Sequence, residues 1–187
     1  MKRIAALAFA VLLSGCSFSL PLIGSPTEVH YYVLSAPEPV PGSLNAPRIG
    51  VLPVSLPGYL SRPQIVVRED DGVNILVRDF DRWGEELGRG VARVFCASMA
   101  REGVSAVPLR TGTQVDAKLM LDLRRLDGTM GGDVTLDAVW TVQKGKTVYR
   151  SGHVVKKLPA GEGVAGMIET QSRLIEVLAG EIAASLL

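Results

Sequence analysis

Between Leu119 and Val142 the chain alternates apolar and polar residues in two successive runs, and this period of two limits the fold more than any other feature. Leu119, Leu121 and Leu123 alternate with Met120, Asp122 and Arg124. Val134, Leu136, Ala138, Trp140 and Val142 alternate with Thr135, Asp137, Val139 and Thr141. Lys144-Gly145 then turns the chain into a further run from Thr147 to Leu158. Neighbouring side chains of a strand point to opposite faces, so such runs describe a sheet with one face buried and the other open. The buried face needs a second layer.

Two amphipathic segments can supply that layer. At about 100° per residue, Trp83, Leu87, Val91, Val94, Phe95 and Ser98 fall on one arc of a helix predicted from Asp81 to about Arg101. Arg82, Glu85, Glu86, Arg89 and Arg93 fall opposite, with Glu85 and Arg89 spaced as an i,i+4 ion pair. Asp81 is placed to cap this helix, Glu85 and Glu86 sit near its positive end, and Gly103 stops it. A second helix is predicted over Val164 to Leu186, with Met167, Ile168, Leu174, Ile175, Leu178, Ile182 and Leu186 in one stripe. Upstream, His30 to Leu34 and Arg48 to Val54 are aromatic or β-branched and suit strands, separated by a loop holding four prolines. Gln64 to Arg68 and Asn74 to Val77 flank Glu69-Asp70-Asp71-Gly72, a hairpin turn composition. The order strands, helix, strands, helix predicts one α+β domain over residues 30–187. It is a mostly antiparallel β-sheet with two α-helices packed on one face.

The N-terminus is of another kind. Lys2 and Arg3 precede the uncharged apolar run Ile4 to Leu13. Those residues rise about 15 Å as a helix, roughly half of a bilayer's hydrocarbon core, so the run reads as a signal peptide over residues 1–15 and not as a span. It ends in Leu13-Ser14-Gly15-Cys16, which resembles a bacterial lipobox. The resemblance implies cleavage before Cys16, acylation of that cysteine by fatty acids such as palmitate, and a lipidated tether over residues 16–29. Ser17 is not the aspartate that retains lipoproteins in the inner membrane, so the expected location is the inner leaflet of the outer membrane, facing the periplasm. Several acyl chains together hold far more firmly than one.

Composition excludes several classes. Of the 20 Lys and Arg residues, cleavage removes Lys2 and Arg3, leaving 18 against 19 Asp and Glu. There is no concentrated basic face, so no nucleic-acid partner is expected. Cys96 is the only cysteine besides Cys16, so no intrachain disulfide is available in an oxidising compartment. On the helix projection Cys96 falls on the polar arc, read as a half-buried residue under a loop or as a subunit contact.

Catalytic patterns are absent at local spacing. His30 and His153 stand far apart in strand-like contexts, and neither has a neighbour that makes a triad or a metal site. Gly128 to Gly132 lacks the Gly-Lys-Ser/Thr of a phosphate loop and reads as a hairpin loop. Asp122, Asp127, Asp133 and Asp137 lack calcium-loop spacing and read as a solvated face. No metal, no cofactor and no enzymatic activity are expected.

Pro57-Gly58-Tyr59-Leu60-Ser61-Arg62-Pro63-Gln64 stands out instead. Proline and glycine stiffen it, and Tyr59, Leu60 and Arg62 offer an aromatic, an aliphatic and a forked donor, a set enriched at interfaces. The alternative is that Tyr59 and Leu60 simply cover the core.

Tyr31-Tyr32-Val33-Leu34, Leu60-Ser61-Arg62-Pro63-Gln64-Ile65-Val66 and Phe80-Asp81-Arg82-Trp83-Gly84-Glu85-Glu86-Leu87, following a lipobox, resemble the signature blocks of the PqiC (YmbA-like) family of ABC-type transport auxiliary lipoproteins. The family's third block usually reads Arg-Trp-Ala-Glu-Pro-Leu, and here Gly84 and Glu86 replace the alanine and the proline. The resemblance implies a non-enzymatic outer-membrane component of an Mce-type system that moves lipid between membranes. Its expected partner is an Mce-domain periplasmic protein and, through it, an ABC-type or permease complex. Tyr59, Leu60, Arg62 and Trp83 are the candidate contacts, and self-association into a homo-oligomer is left open. Two alternatives remain: a periplasmic carrier that binds lipid in an apolar groove, and an assembly factor for an outer-membrane protein.

Overall fold

The computed structural model describes residues 28–38, 40 and 47–187. The leader, Cys16 and the tether up to residue 27 lie outside the described residues. In chain order the elements are β1 (His30–Tyr32), β2 (Arg48–Val51), β3 (Gln64–Arg68), β4 (Ile75–Trp83), α1 (Leu87–Arg101), β5 (Ser105–Pro108), β6 (Ala117–Gly128), β7 (Asp133–Lys144), β8 (Thr147–Pro159) and α2 (Gly163–Leu186). The fold is α+β, with a five-stranded sheet of order β5-β2-β6-β7-β8 and a three-stranded sheet of order β1-β4-β3.

The alternating runs form the long antiparallel centre of the larger sheet. Leu119 faces Val142, Leu121 faces Trp140 and Leu123 faces Ala138, and all six side chains are buried. A bulge between Leu123 and Arg125 shifts the phase, so Leu126, opposite Leu136, continues the core face. Gly152 lies opposite Trp140. The indole rests on its backbone, since a Cβ there would meet Trp140 Nε1 at 2.8 Å. The predicted stripe of α2 seals this face, with Met167, Ile168, Leu174, Ile175, Leu178 and Ile182 all buried. Each such side chain contributes about 1.5–3 kcal/mol by leaving water. Helix α1 packs on α2 and on β5, and its Val91, Val94 and Phe95 are fully buried.

The structure departs from the sequence expectations at four places. The sheets are mixed: β2 pairs parallel with both β5 and β6, and β1 pairs parallel with β4. The four-residue strand β5 was not anticipated, because a short parallel edge strand carries no alternation. Helix α1 begins at Leu87 and not at Asp81. Asp81 to Trp83 still belong to β4, paired with His30 to Tyr32, and the Asp81 carboxylate accepts from Tyr32 at 3.1 Å and Arg78 at 2.8 Å. Glu86 takes the N-cap position without a side-chain cap bond. Glu85 accordingly meets Arg93 at 2.5 Å, while Arg89 meets Glu86 at 3.2 Å. Cys96 is not on a polar arc but in the core cluster. Burial pushes its thiol up to about 12, so it stays protonated.

Candidate functional site

The segment 57–63 folds as a tight turn, with the N–H groups of Leu60 and Ser61 donating to the Pro57 carbonyl at 2.9 and 3.2 Å. It then runs antiparallel to the end of β4, where the Trp83 N–H donates to the Pro63 carbonyl at 2.7 Å. Between these strands and the start of α1 lies a cleft of about 440 Å³. Leu56, Leu60, Arg62, Pro63, Trp83 and Leu87 line it, with Glu85 and Glu86 beside them. Three of the four residues singled out in the sequence, Leu60, Arg62 and Trp83, therefore share one site.

They are not equally available. Leu60 and Trp83 are buried parts of the core cluster that form the cleft floor. Arg62 is half-buried, and its Nε is a buried donor with no hydrogen-bond partner among the described residues. Leaving such a donor unpaired costs about 1–3 kcal/mol.

Tyr59 turns away from the cleft. Its hydroxyl donates to Asp127 Oδ2 at 2.5 Å, and Arg68 Nη2 and Arg125 Nη2 reach the same carboxylate at 2.7 and 2.8 Å. The Arg68 guanidinium also stacks over the Tyr59 ring, 5.8 Å from its centroid. Burial alone would raise the Asp127 pKa, but hydrogen bonds from Arg68, Tyr59 and Arg125 outweigh it and hold the carboxyl below its ordinary range. Burial, with the bond to Asp127, pushes the Tyr59 hydroxyl up to about 12. The Asp127 bond raises Arg68, which is fixed as a cation. Asp127 is thus no part of a solvated acidic face, whereas Asp122 and Asp133 are exposed. The β6 bulge puts Asp127 on the outer sheet face, and there β3 and the Tyr59 turn cover it. Sequence reasoning missed this cluster. The signal was Arg124-Arg125, which breaks the alternation just before a lone aspartate.

The remaining candidates scatter. His30 is exposed at the start of β1. His153 pairs with Asp137 at 2.8 Å on the open face of the large sheet. Thr129 to Gly132 form the turn between β6 and β7. Among the described residues no group of three or more His, Cys, Asp and Glu side chains is placed to hold a metal. No described helix is long and apolar enough to cross a membrane. A second cavity of about 370 Å³ opens at the far end of the large sheet, among Ile49, Val104, Ala117, Val142 and Leu186.

The family model of the ABC-type transport auxiliary lipoprotein component matches residues 32–183. Among curated proteins, none matches the sequence significantly. Solved structures share the fold, among them the following two. The crystal structure of an uncharacterized protein is 16% identical with a TM-score of 0.73, covering 86% of this chain and 99% of its own. A protein from Xanthomonas campestris is 15% identical with a TM-score of 0.64, covering 85% and 95%.

Proposed function

The chain belongs to the ABC-type transport auxiliary lipoprotein component family, and on that premise we propose that it docks the distal end of an Mce-protein conduit at the outer membrane. In this reading Cys16 carries the acyl chains, residues 16–29 are the lipidated tether, and the domain faces the periplasm. An Mce-domain protein is the direct partner, and through it an ABC-type or permease complex that moves lipid. The family is one of transport components and not of enzymes.

The observation that carries the docking surface is the cleft floored by Leu60 and Trp83 and lined by Arg62, whose buried Nε has no hydrogen-bond partner among the described residues. Arginine and tryptophan dominate interface energetics when they sit in desolvated pockets. A partner carbonyl or carboxylate in the cleft would satisfy Arg62, while an apolar partner side chain would cover Leu56 and Leu60. Tyr59 acts from behind, fixing the turn through Asp127. Arg62→Ala tests this: a hot-spot loss of 2 kcal/mol or more weakens binding about thirtyfold. Affinity capture from cross-linked envelopes should lose the Mce-domain protein at an unchanged melting temperature. Undiminished capture places the contact elsewhere.

A carrier reading has one observation in its favour, the apolar cavity between Val142 and Leu186. It requires lipid to co-purify with the protein in a quantity that Ala117→Trp, which fills the cavity, abolishes.

A further inference from the structure

The outer side of the β1–β4 ribbon carries an exposed patch that the docking cleft does not use. Tyr31 pairs in register with Arg82, and Tyr32 with Trp83. Side chains alternate along each strand, so Tyr32, Asp81 and Trp83 turn inward while Tyr31, Phe80 and Arg82 turn outward. Tyr31 is 67% exposed, Phe80 50% and Val33 55%. Gly84 closes the ribbon, its N–H donating to the Tyr32 carbonyl at 2.8 Å, and a Cβ on it would meet Val33 Cγ1 at 3.1 Å. The Arg82 guanidinium donates from Nε to the Asp79 carbonyl, three residues back on β4, at 3.2 Å. Two aromatic rings, an aliphatic side chain and one cation therefore share one open face at the edge of the smaller sheet.

The position of this patch along the chain selects its occupant. Strand β1 is where the tether enters the domain. Thirteen residues lie between Cys16 and His30, fourteen backbone steps that span at most about 46–50 Å, so this ribbon is the part of the fold attached nearest the acyl chains. Tyrosine and phenylalanine with an arginine suit the boundary between headgroups and acyl chains, where rings bury their faces and a guanidinium reaches phosphate. The acidic turn Glu69-Asp70-Asp71 lies at the other end of β4, about 23 Å along the strand from Arg82; the exposed acids nearest the patch are Glu28 and Asp79, and by strand alternation Asp79 turns to the side opposite Phe80.

We propose that the outer face of the β1–β4 ribbon, through Tyr31, Val33, Phe80 and Arg82, seats on the lipid surface that holds the anchor. The contact rests on acylation of Cys16, and it fixes the orientation of the domain that the tether alone leaves free.

Tryptophan quenching tests it in the full-length lipoprotein, expressed with its leader and reconstituted into phosphatidylethanolamine/phosphatidylglycerol vesicles with dibrominated acyl chains. Tyr31→Trp, Phe80→Trp and, as control, Tyr149→Trp on β8 (46% exposed) are each read against the unsubstituted chain. The added emission at positions 31 and 80 should fall by about half, and that at position 149 should not change. Co-flotation with vesicles but no quenching at 31 and 80 overturns the contact while leaving the anchor intact. Absence of co-flotation overturns the acylation reading and the contact with it. Acrylamide protection at 31 and 80 that grows with protein concentration without lipid assigns the face to a second copy of the chain, and also overturns the proposal.

Discussion

The Tyr59 hydroxyl donates to the carboxylate of Asp127, 68 residues downstream, and so ties the turn that shapes the cleft to β6, the central strand of the five-stranded sheet. Two guanidinium groups share that carboxylate. Asp127→Asn removes the anion and leaves Arg68 and Arg125 facing each other without it. Breaking a buried pair from one side costs about 3–5 kcal/mol, which lowers the melting temperature of a domain this size by roughly 6–20 °C. The pH dependence has a definite sign. Because the folded Asp127 pKa lies below the ordinary carboxylate value of 3.8, its stabilisation is complete above that value and is lost as pH falls through the folded pKa. Denaturant titrations from pH 6 down to pH 2 should show the gap between wild type and Asp127→Asn closing only below about pH 4.

Tyr59→Phe keeps the ring under Arg68 and deletes one bond to a charged acceptor, at a cost of about 1.5–3 kcal/mol. The wild-type hydroxyl is pushed up to about 12 from 10.0. Its contribution is therefore complete below pH 10 and is lost as pH rises through about 12. Equilibrium unfolding across that alkaline window should show the two proteins converging. A constant difference there means that the hydroxyl is not held in this bond.

The register of α2 makes a contrast within one turn. Leu178 is fully buried, whereas Glu181 is exposed and pairs with Lys156 across the surface. Leu178→Asp buries an unpaired carboxylate and should cost several kcal/mol, enough to unfold a marginal domain. Glu181→Ala should cost at most about 1 kcal/mol. Thermal melts monitored by circular dichroism check both.

Much of this was legible in the sequence because it is periodic. Strands β6 and β7 and the stripe of α2 each present one face to the core, and a face repeated over many residues leaves its period in the chain. The parallel pairings left no such trace. Whether β1 lies against β4 is decided by contacts some 50 residues apart, so Asp81, which has the composition of a helix cap, stayed in a strand. The site was half legible. Leu60, Arg62 and Trp83 do meet, but Tyr59 is spent on Asp127. An aspartate in an alternating run looks solvated until a bulge and a second sheet cover it. Cys96 misled for a related reason, since the buried side of α1, which also takes in Met99, is wider than a single arc.

The acylation proposal concerns residues outside those described. Cys16→Ala should abolish incorporation of an alkyne-tagged fatty acid and leave the precursor uncleaved, by gel shift and in-gel fluorescence. Ser17→Asp should move the protein to the inner-membrane fraction of a sucrose gradient in hosts that use the aspartate rule, with its melting temperature unchanged. Equal labelling of wild type and Cys16→Ala removes the anchor.

Site-specific photocrosslinking from the cleft tests the docking proposal most directly. A benzophenone amino acid replaces Ser61, beside Arg62 in the cleft, and in a separate strain replaces Lys156 on β8. Irradiation of intact cells should give an adduct from position 61 that mass spectrometry identifies as an Mce-domain protein, and none from position 156. Adducts of equal yield from both positions, or an adduct from position 61 that contains no Mce-domain protein, would contradict it.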